Sequence, residues 1–364
     1  MSAPSSQHLP LPDLVRLGLD ALAAGDLTKA QTALAAVVDD ARAPADPQSL
    51  QAAAEMLERI GDYPAAWKGL DLLGQLNAPP GPPDWKGESL AGRTLLIEQR
   101  LRHTGAVIRM ARLIAIAAKQ ADRCIVLVEP RLKPLFERSF PEAECLDAET
   151  GREAAYAQCD VRASYETLCR YLADSDEAIE AGFQPLQADP ARTAVYRARY
   201  MEGAAPETKL VGISWRSMNP DKDILTLAQW ADLLPRLRDA RFVSIQYGEA
   251  RQEANEIASA SGNFVILDPE ADQFANLDDF TAQVAALDAI VSISNTACHV
   301  AGALGIPSIV LTDQRPALIW NIRTERQAWY PRTSTIRHDG EDWPAYRKRI
   351  LAAVVELTDL RTLA

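Results

Sequence analysis

The residues best suited to chemistry in this chain gather in "SNTACHVAGALG", positions 294 to 305, directly after the apolar run "DAIVSI". Asn295 and His299 stand four residues apart, on one face of any helix that begins there, with Thr296 beside them. The first N–H groups of such a helix have no internal partner and carry the positive end of its dipole, a setting that binds phosphate. On this reading Asn295 or Ser294 caps the helix, the Thr296 hydroxyl donates, and His299 points the same way one turn on. Arg216 and Lys222, in "WRSMNPDK", supply the cation. A blander account stays open: Asn295 as a cap only, and His299 as a satisfied core histidine.

The elements that must position these residues are legible as alternating runs. "KLVGISW" (209–215), "RFVSIQYG" (241–248), "NFVILDP" (263–269), "DAIVSIS" (288–294) and "PSIVLTD" (307–313) are strand candidates. Helical stretches such as "TLAQWADLLPRLR" and "LDDFTAQVAALD" separate most of them, which predicts a Rossmann-like parallel sheet. Ligands of such sheets bind beyond the carboxyl ends of the strands. Those ends carry Arg216, Gln246, Tyr247, Asp268, Asn295, Thr296 and Asp313, and so many polar ends on one rim favour a ligand site over isolated caps. No GxGxxG occurs, which disfavours a dinucleotide, and no GxxxxGK[ST], which removes the P-loop. The predicted occupant is the pyrophosphate of a nucleotide-linked ligand.

Upstream, "RTLLIEQ" (93–99), "GAVIRMARLIAIAAKQ" (105–120) and "CIVLVEP" (124–130) form a βαβ unit of a first half. Residues 150 to 200 read as mostly helical, without assignable chemistry. Residues 13 to 76 read as helices only, in two pairs, each bent at a Gly-Asp turn. The turn glycines, Gly25 and Gly61, lie 36 residues apart, near the ~34-residue tetratricopeptide period. Ala30 and Ala66 fall where that repeat needs a small residue; an ordinary helical bundle is the alternative. Two such units are too few to stand alone, so they are predicted to pack on the rest of the chain. "NAPPGPPDW" (77–85) breaks regular structure. The domain reading is therefore a helical region over 1–78, a linker over 79–91, a first Rossmann-like half over 92–204 and a second, nucleotide-binding half over 205–364.

Composition narrows the function classes. A formal net charge of −12 over 364 residues argues against a general nucleic-acid binder. No apolar stretch approaches the ~20 residues of a membrane span. The start, "MSAPSSQHLPLPD", lacks a signal-peptide pattern. Five scattered cysteines and four histidines show no metal-ligand spacing, so no metal and no cofactor is predicted. Reduced, packed thiols fit a cytoplasmic protein.

The segments "VGISWRSMNPDKDILTLAQWADLL", "FVSIQYGE" and "DPEADQFANLDDFTAQVAALDAIVSISNTACHVAGALGIP" resemble the carboxy-terminal half of bacterial tetratricopeptide-linked glycosyltransferases. These are similar to lipopolysaccharide heptosyltransferases and, more distantly, to protein O-glycosyltransferases, including those thought to act on flagellin. The resemblance implies an α/β fold of the GT-B type, a pair of Rossmann-like domains behind the helical region, with the helix from Pro344 packing back across the halves. It implies a hexosyl- or heptosyltransferase that takes a nucleoside-diphosphate sugar in the second half. A protein acceptor, such as flagellin, or a glycan would be held by the first half and the repeats. Asn295, Thr296 and His299 match the family's phosphate-contacting "N-[ST]-x-x-H"; Lys222 lies near its basic position, and Gln246 and Tyr247 match its "QYG" turn. The chain departs from the pattern at Ser294, where the family carries an aspartate, and at Gly105-Ala106, where Gly-Asp with a catalytic carboxylate is expected. Glu98 and His103 are the substitute candidates for general base. The alternative is a catalytically degenerate protein acting as a binding or assembly partner. Removing residues 1–78 is expected to abolish partner capture and spare nucleotide binding.

Overall fold

The computed structural model describes residues 9–101, 103–219, 224–262, 265–313, 320–358 and 360–362. It begins with α1 (Leu11–Ala23), α2 (Leu27–Asp39), α3 (Pro47–Arg59) and α4 (Tyr63–Leu76), with α1 packed on α2 and α3 on α4. The two Gly-Asp turns are built alike. Gly25 and Gly61 take left-handed φ values of 76° and 78°, and the next residues, Asp26 and Asp62, cap α2 and α4 by accepting from Lys29 and Ala65 backbone N–H groups. Ala30 and Ala66 are fully buried at the helix contacts.

The first half is a four-stranded parallel sheet in the order β3-β2-β1-β4, with β1 Thr94–Glu98, β2 Arg123–Val128, β3 Glu144–Asp147 and β4 Val161–Ser164. Its helices are α5 (Thr104–Met110), α6 (Leu113–Ala118), α7 (Lys133–Ser139), α8 (Arg152–Gln158), α9 (Tyr165–Leu172) and α10 (Asp176–Ala181). After α11 (Pro190–Met201) comes the second half. Its strands are β5 Lys209–Ser214, β7 Ala240–Ser244, β8 Val265–Ile266, β9 Ala289–Ile293, β10 Ser308–Thr312, β11 Arg326–Gln327 and β12 Tyr330–Arg337, in the order β11-β12-β10-β9-β5-β7-β8. Only the β11–β12 pair is antiparallel in that sheet. Short strands β6 (Leu237–Arg238) and β13 (Arg361–Thr362) pair separately. The remaining helices are α12 (Leu227–Leu233), α13 (Arg251–Ser261), α14 (Leu277–Ala285), α15 (Thr296–Leu304) and α16 (Trp343–Leu357).

Helix α16 does not follow the expectation that it crosses between the halves. Its Tyr346, Ile350 and Val354 enter the core of the second sheet, and the Tyr346 hydroxyl donates to Ile336 O at 2.7 Å. The bridging helix is α11, which leads out of the first half and packs on α14; Tyr196 donates to Asp279 at 2.6 Å and Tyr200 to Asp268 at 3.0 Å.

The helical region is fused to the body. Trp67 of α4 is fully buried, donates to Ala173 O at 2.9 Å, and meets Trp329 of the second half edge-on at 6.2 Å. Glu58 of α3 and Arg109 of α5 form a buried ion pair, with Arg109 also over the Trp329 ring. Glu58→Ala is expected to strand the Arg109 charge and cost about 3–5 kcal/mol, read as a lowered denaturant midpoint. The double variant Glu58→Leu/Arg109→Leu should recover most of that loss, because it removes both desolvated charges together.

Among the described residues no helix is long and apolar enough to cross a membrane, and no three His, Cys, Asp or Glu side chains converge as metal ligands.

Candidate functional site

The strand order of the second sheet reverses between β5 and β9: from β5 the chain runs outward to β7 and β8, then returns to build β9 and β10 on the other side. Crevices form at such switch points. Asn295 follows β9 as the cap of α15 and ties the crevice together. Its Oδ1 accepts from Ala297 N at 3.0 Å, and its Nδ2 donates to Ser214 Oγ at 2.7 Å and to Arg216 O at 3.3 Å. Gln246, beyond β7, secures the next joint: its Oε1 accepts from Ser214 Oγ, Trp215 N and Arg216 N, each at 3.0 Å. Both side chains are buried and their polar atoms hold the rim itself.

Arg216 is turned aside. Its Nε meets Glu253 at 2.7 Å and its Nη2 donates to Glu249 O at 2.8 Å, so the guanidinium lies along the start of α13. Lys222 lies outside the described residues. Tyr247, Thr296 and His299 do line one cleft, about 890 Å³ in volume, that opens between the halves. His299 is 6% exposed, stacks on Trp320 at 5.2 Å with 10° between planes, and has Nδ1 3.0 Å from the Tyr330 hydroxyl. Burial raises the Tyr330 pKa above the usual phenol range, so it stays protonated. Ser294, which stands where a carboxylate was expected, accepts from Trp320 Nε1 at 2.9 Å and so helps fix the ring behind His299.

The first half meets this wall through α5, which packs on α15. A Cβ on Gly105 would come within 2.8 Å of His299 Cδ2, so the glycine is what allows the approach. His103, Thr104 and Ala106 line the cleft beside it, with His103 exposed at its lip. Glu98 is elsewhere. It is 1% exposed at the end of β1, bound by Arg152 at 2.7 Å, Tyr156 at 2.9 Å, Arg100 at 3.0 Å and Arg162 at 3.4 Å, and does not line the cleft. Three guanidiniums around one carboxylate make it a buried counter-ion.

Two contributions were not read from the sequence. Arg131, just past β2, spans the cleft: its Nη1 donates to Phe274 O at 2.7 Å and its Nη2 to Thr104 Oγ1 at 3.0 Å, with the guanidinium 5.0 Å over the Phe274 ring. The second is α3, whose Gln51, Glu55 and Arg59, spaced by one turn, form a wall of the same cleft. Arg59 is buried, and desolvation together with the nearby Arg337 charge lowers its pKa. An i, i+4 stripe on α3 was visible, but nothing local says that a helix so far upstream reaches the rim.

No family model matches the chain. Its sequence is similar to Protein FlbA of Caulobacter vibrioides, 30% identical in an alignment of 336 residues that covers 84% of this chain and 55% of that one. The chain thus spans about half the length of that relative. Its structure is similar to the glycosyl transferase family 9 protein from Veillonella parvula, with a TM-score of 0.56 at 12% identity, over 74% of this chain and 98% of the other. It is also similar to E. coli ADP-heptose lps heptosyltransferase II, with a TM-score of 0.50 at 15% identity, over 72% and 99%. Two mostly parallel sheets on either side of a cleft, joined through the α5–α15 contact, give this chain the GT-B-like fold of the glycosyltransferases.

Proposed function

We propose that this protein is a glycosyltransferase that moves a sugar, hexosyl or heptosyl, from a nucleoside-diphosphate donor to a protein or glycan acceptor. The observation that carries the reading is the start of α15: a helix N-terminus with Thr296 and His299, opening into the inter-half cleft at the point where strand order reverses. The fold it shares with an ADP-heptose heptosyltransferase makes a nucleotide sugar the first donor to try. The diphosphate sits against the α15 terminus, where the freed N–H groups and the dipole stabilise the charge that develops as the sugar leaves. Lys222 is the proposed cation. No metal is invoked.

We read α1 to α4 as two tetratricopeptide-like units, supported by the matched Gly-Asp turns and the buried Ala30 and Ala66. Their wall of the cleft favours a protein acceptor such as flagellin, and five free thiols, four of them buried, accord with action in the cytoplasm.

Calorimetry with UDP-, GDP-, ADP- and CMP-linked sugars tests the donor. Asn295→Ala is a poor probe, because it also breaks the rim. Thr296→Val and His299→Ala are better, since each is expected to weaken binding roughly 10- to 100-fold if a charge-assisted bond of about 1.5–3 kcal/mol is lost. No binding of any donor by the wild type would reject the reading. A degenerate binding partner is the competing account, favoured by Ala106 and the sequestered Glu98; donor binding without turnover on any acceptor would establish it.

A further inference from the structure

The cleft presents a specific chemical shortage. Transfer to a hydroxyl needs a group to take its proton, and the first half offers Ala106 where the carboxylate was expected. Glu98, the nearest carboxylate in sequence, is closed inside its arginines. Among the described residues that line the cleft there is one carboxylate, Glu55 of α3. It is half-buried in the wall, and among the described residues it accepts only from Gln51 Nε2, at 3.0 Å. Among the described residues it forms no ion pair, not even with Arg59 one turn on.

We propose that Glu55, supplied by the helical region, is the catalytic base for the acceptor hydroxyl. The inference rests on the glycosyltransferase reading given above. The acceptor O–H proton passes to the Glu55 carboxylate as the acceptor oxygen forms a bond to the anomeric carbon. The bond from that carbon to the donor phosphate oxygen breaks, and its electron pair leaves with the nucleotide at the α15 terminus. Gln51 orients the carboxylate through its amide. The helical region is then part of the active site, and the catalytic carboxylate has moved from α5 to α3 across the same cavity.

The test uses the full chain and whichever of the UDP-, GDP-, ADP- or CMP-linked sugars binds in calorimetry. Nucleotide release with water as acceptor is followed for the wild type, Glu55→Gln and Glu55→Asp. The expected result is unchanged donor affinity and melting temperature for Glu55→Gln, with kcat lower by about 10²- to 10⁴-fold. Glu55→Asp should restore part of the rate. Three results overturn the proposal: Glu55→Gln within threefold of wild-type kcat, His103→Ala abolishing turnover while Glu55→Gln does not, or a wild type that binds donor and never turns it over. A wild type that shows no binding heat at all rejects the donor reading itself, which is a different failure.

Discussion

A chain that begins at residue 79 is expected to lose its cooperative fold, not to survive as a transferase body without a module. The sequence predicts that the helical region packs on the rest of the chain and that removing it spares nucleotide binding; the junction fits the first expectation and argues against the second. Removing it strips Glu58 from Arg109, and an unpaired buried charge alone costs about 3–5 kcal/mol. It also removes Trp67 from Trp329 and Ala173, Tyr63 from Asp176, and the backbone bond from Ile322 N to Arg59 O at 2.8 Å. A core aromatic truncation is worth about 3–5 kcal/mol by itself. These losses together are comparable with the whole stability of a typical domain, about 5–15 kcal/mol. Thermal unfolding followed by near-ultraviolet circular dichroism decides the matter. A truncated protein that melts cooperatively near the full-length temperature and still binds donor would show the region to be a detachable module.

How much of this could be read beforehand depends on how local each signal is. β5, β7, β9 and β10 announce themselves because a buried parallel strand is a run of Val, Ile and Leu, and "VGIS", "IVSI" and "SIVL" can be little else. β3 and β4, "ECLD" and "VRAS", are four residues each and half polar, so neither stands out as an apolar run, and β4 vanishes into a stretch that reads as helical. β12, "YPRTSTIR", carries a proline and two arginines, and only its pairing with β10 makes it a strand.

The candidate site divides in the same way. Asn295 as a helix cap and His299 one turn on follow from local grammar. Whether a polar residue faces the cleft does not. Arg216 is a cation at a strand end, as expected, but Glu253 on α13 takes its charge. Gln246 sits where it was expected and spends its carbonyl on the backbone of the neighbouring loop. Glu98 survives as a residue type, yet Arg152 and Arg162, more than fifty positions downstream, close around it. The α3 wall was out of reach for the same reason, since it depends on docking over residues 47 to 59.

The second large effect is expected at Gly105, where the two halves touch. Gly105 is in α5 with an ordinary helical backbone, so its conformational freedom is not needed there; space is. In a free helix Gly→Ala would stabilise by about 1 kcal/mol. Here the new methyl would meet His299 Cδ2 at 2.8 Å, and that ring cannot swing away, being stacked on Trp320 and bonded to Tyr330. Gly105→Ala is therefore expected to destabilise despite its better propensity, and Gly105→Val to cost about 1–3 kcal/mol as an overpacking strain. Because His299 lines the cleft, the same variants should weaken donor binding. The cause is separable by a double-mutant cycle. Removing the ring in Gly105→Val/His299→Ala should return stability but not donor affinity, with a coupling of about 0.5–3 kcal/mol between the two sites. If the two substitutions instead add to within about 0.5 kcal/mol, the halves do not depend on this contact, and the α5–α15 approach is not what sets the width of the cleft.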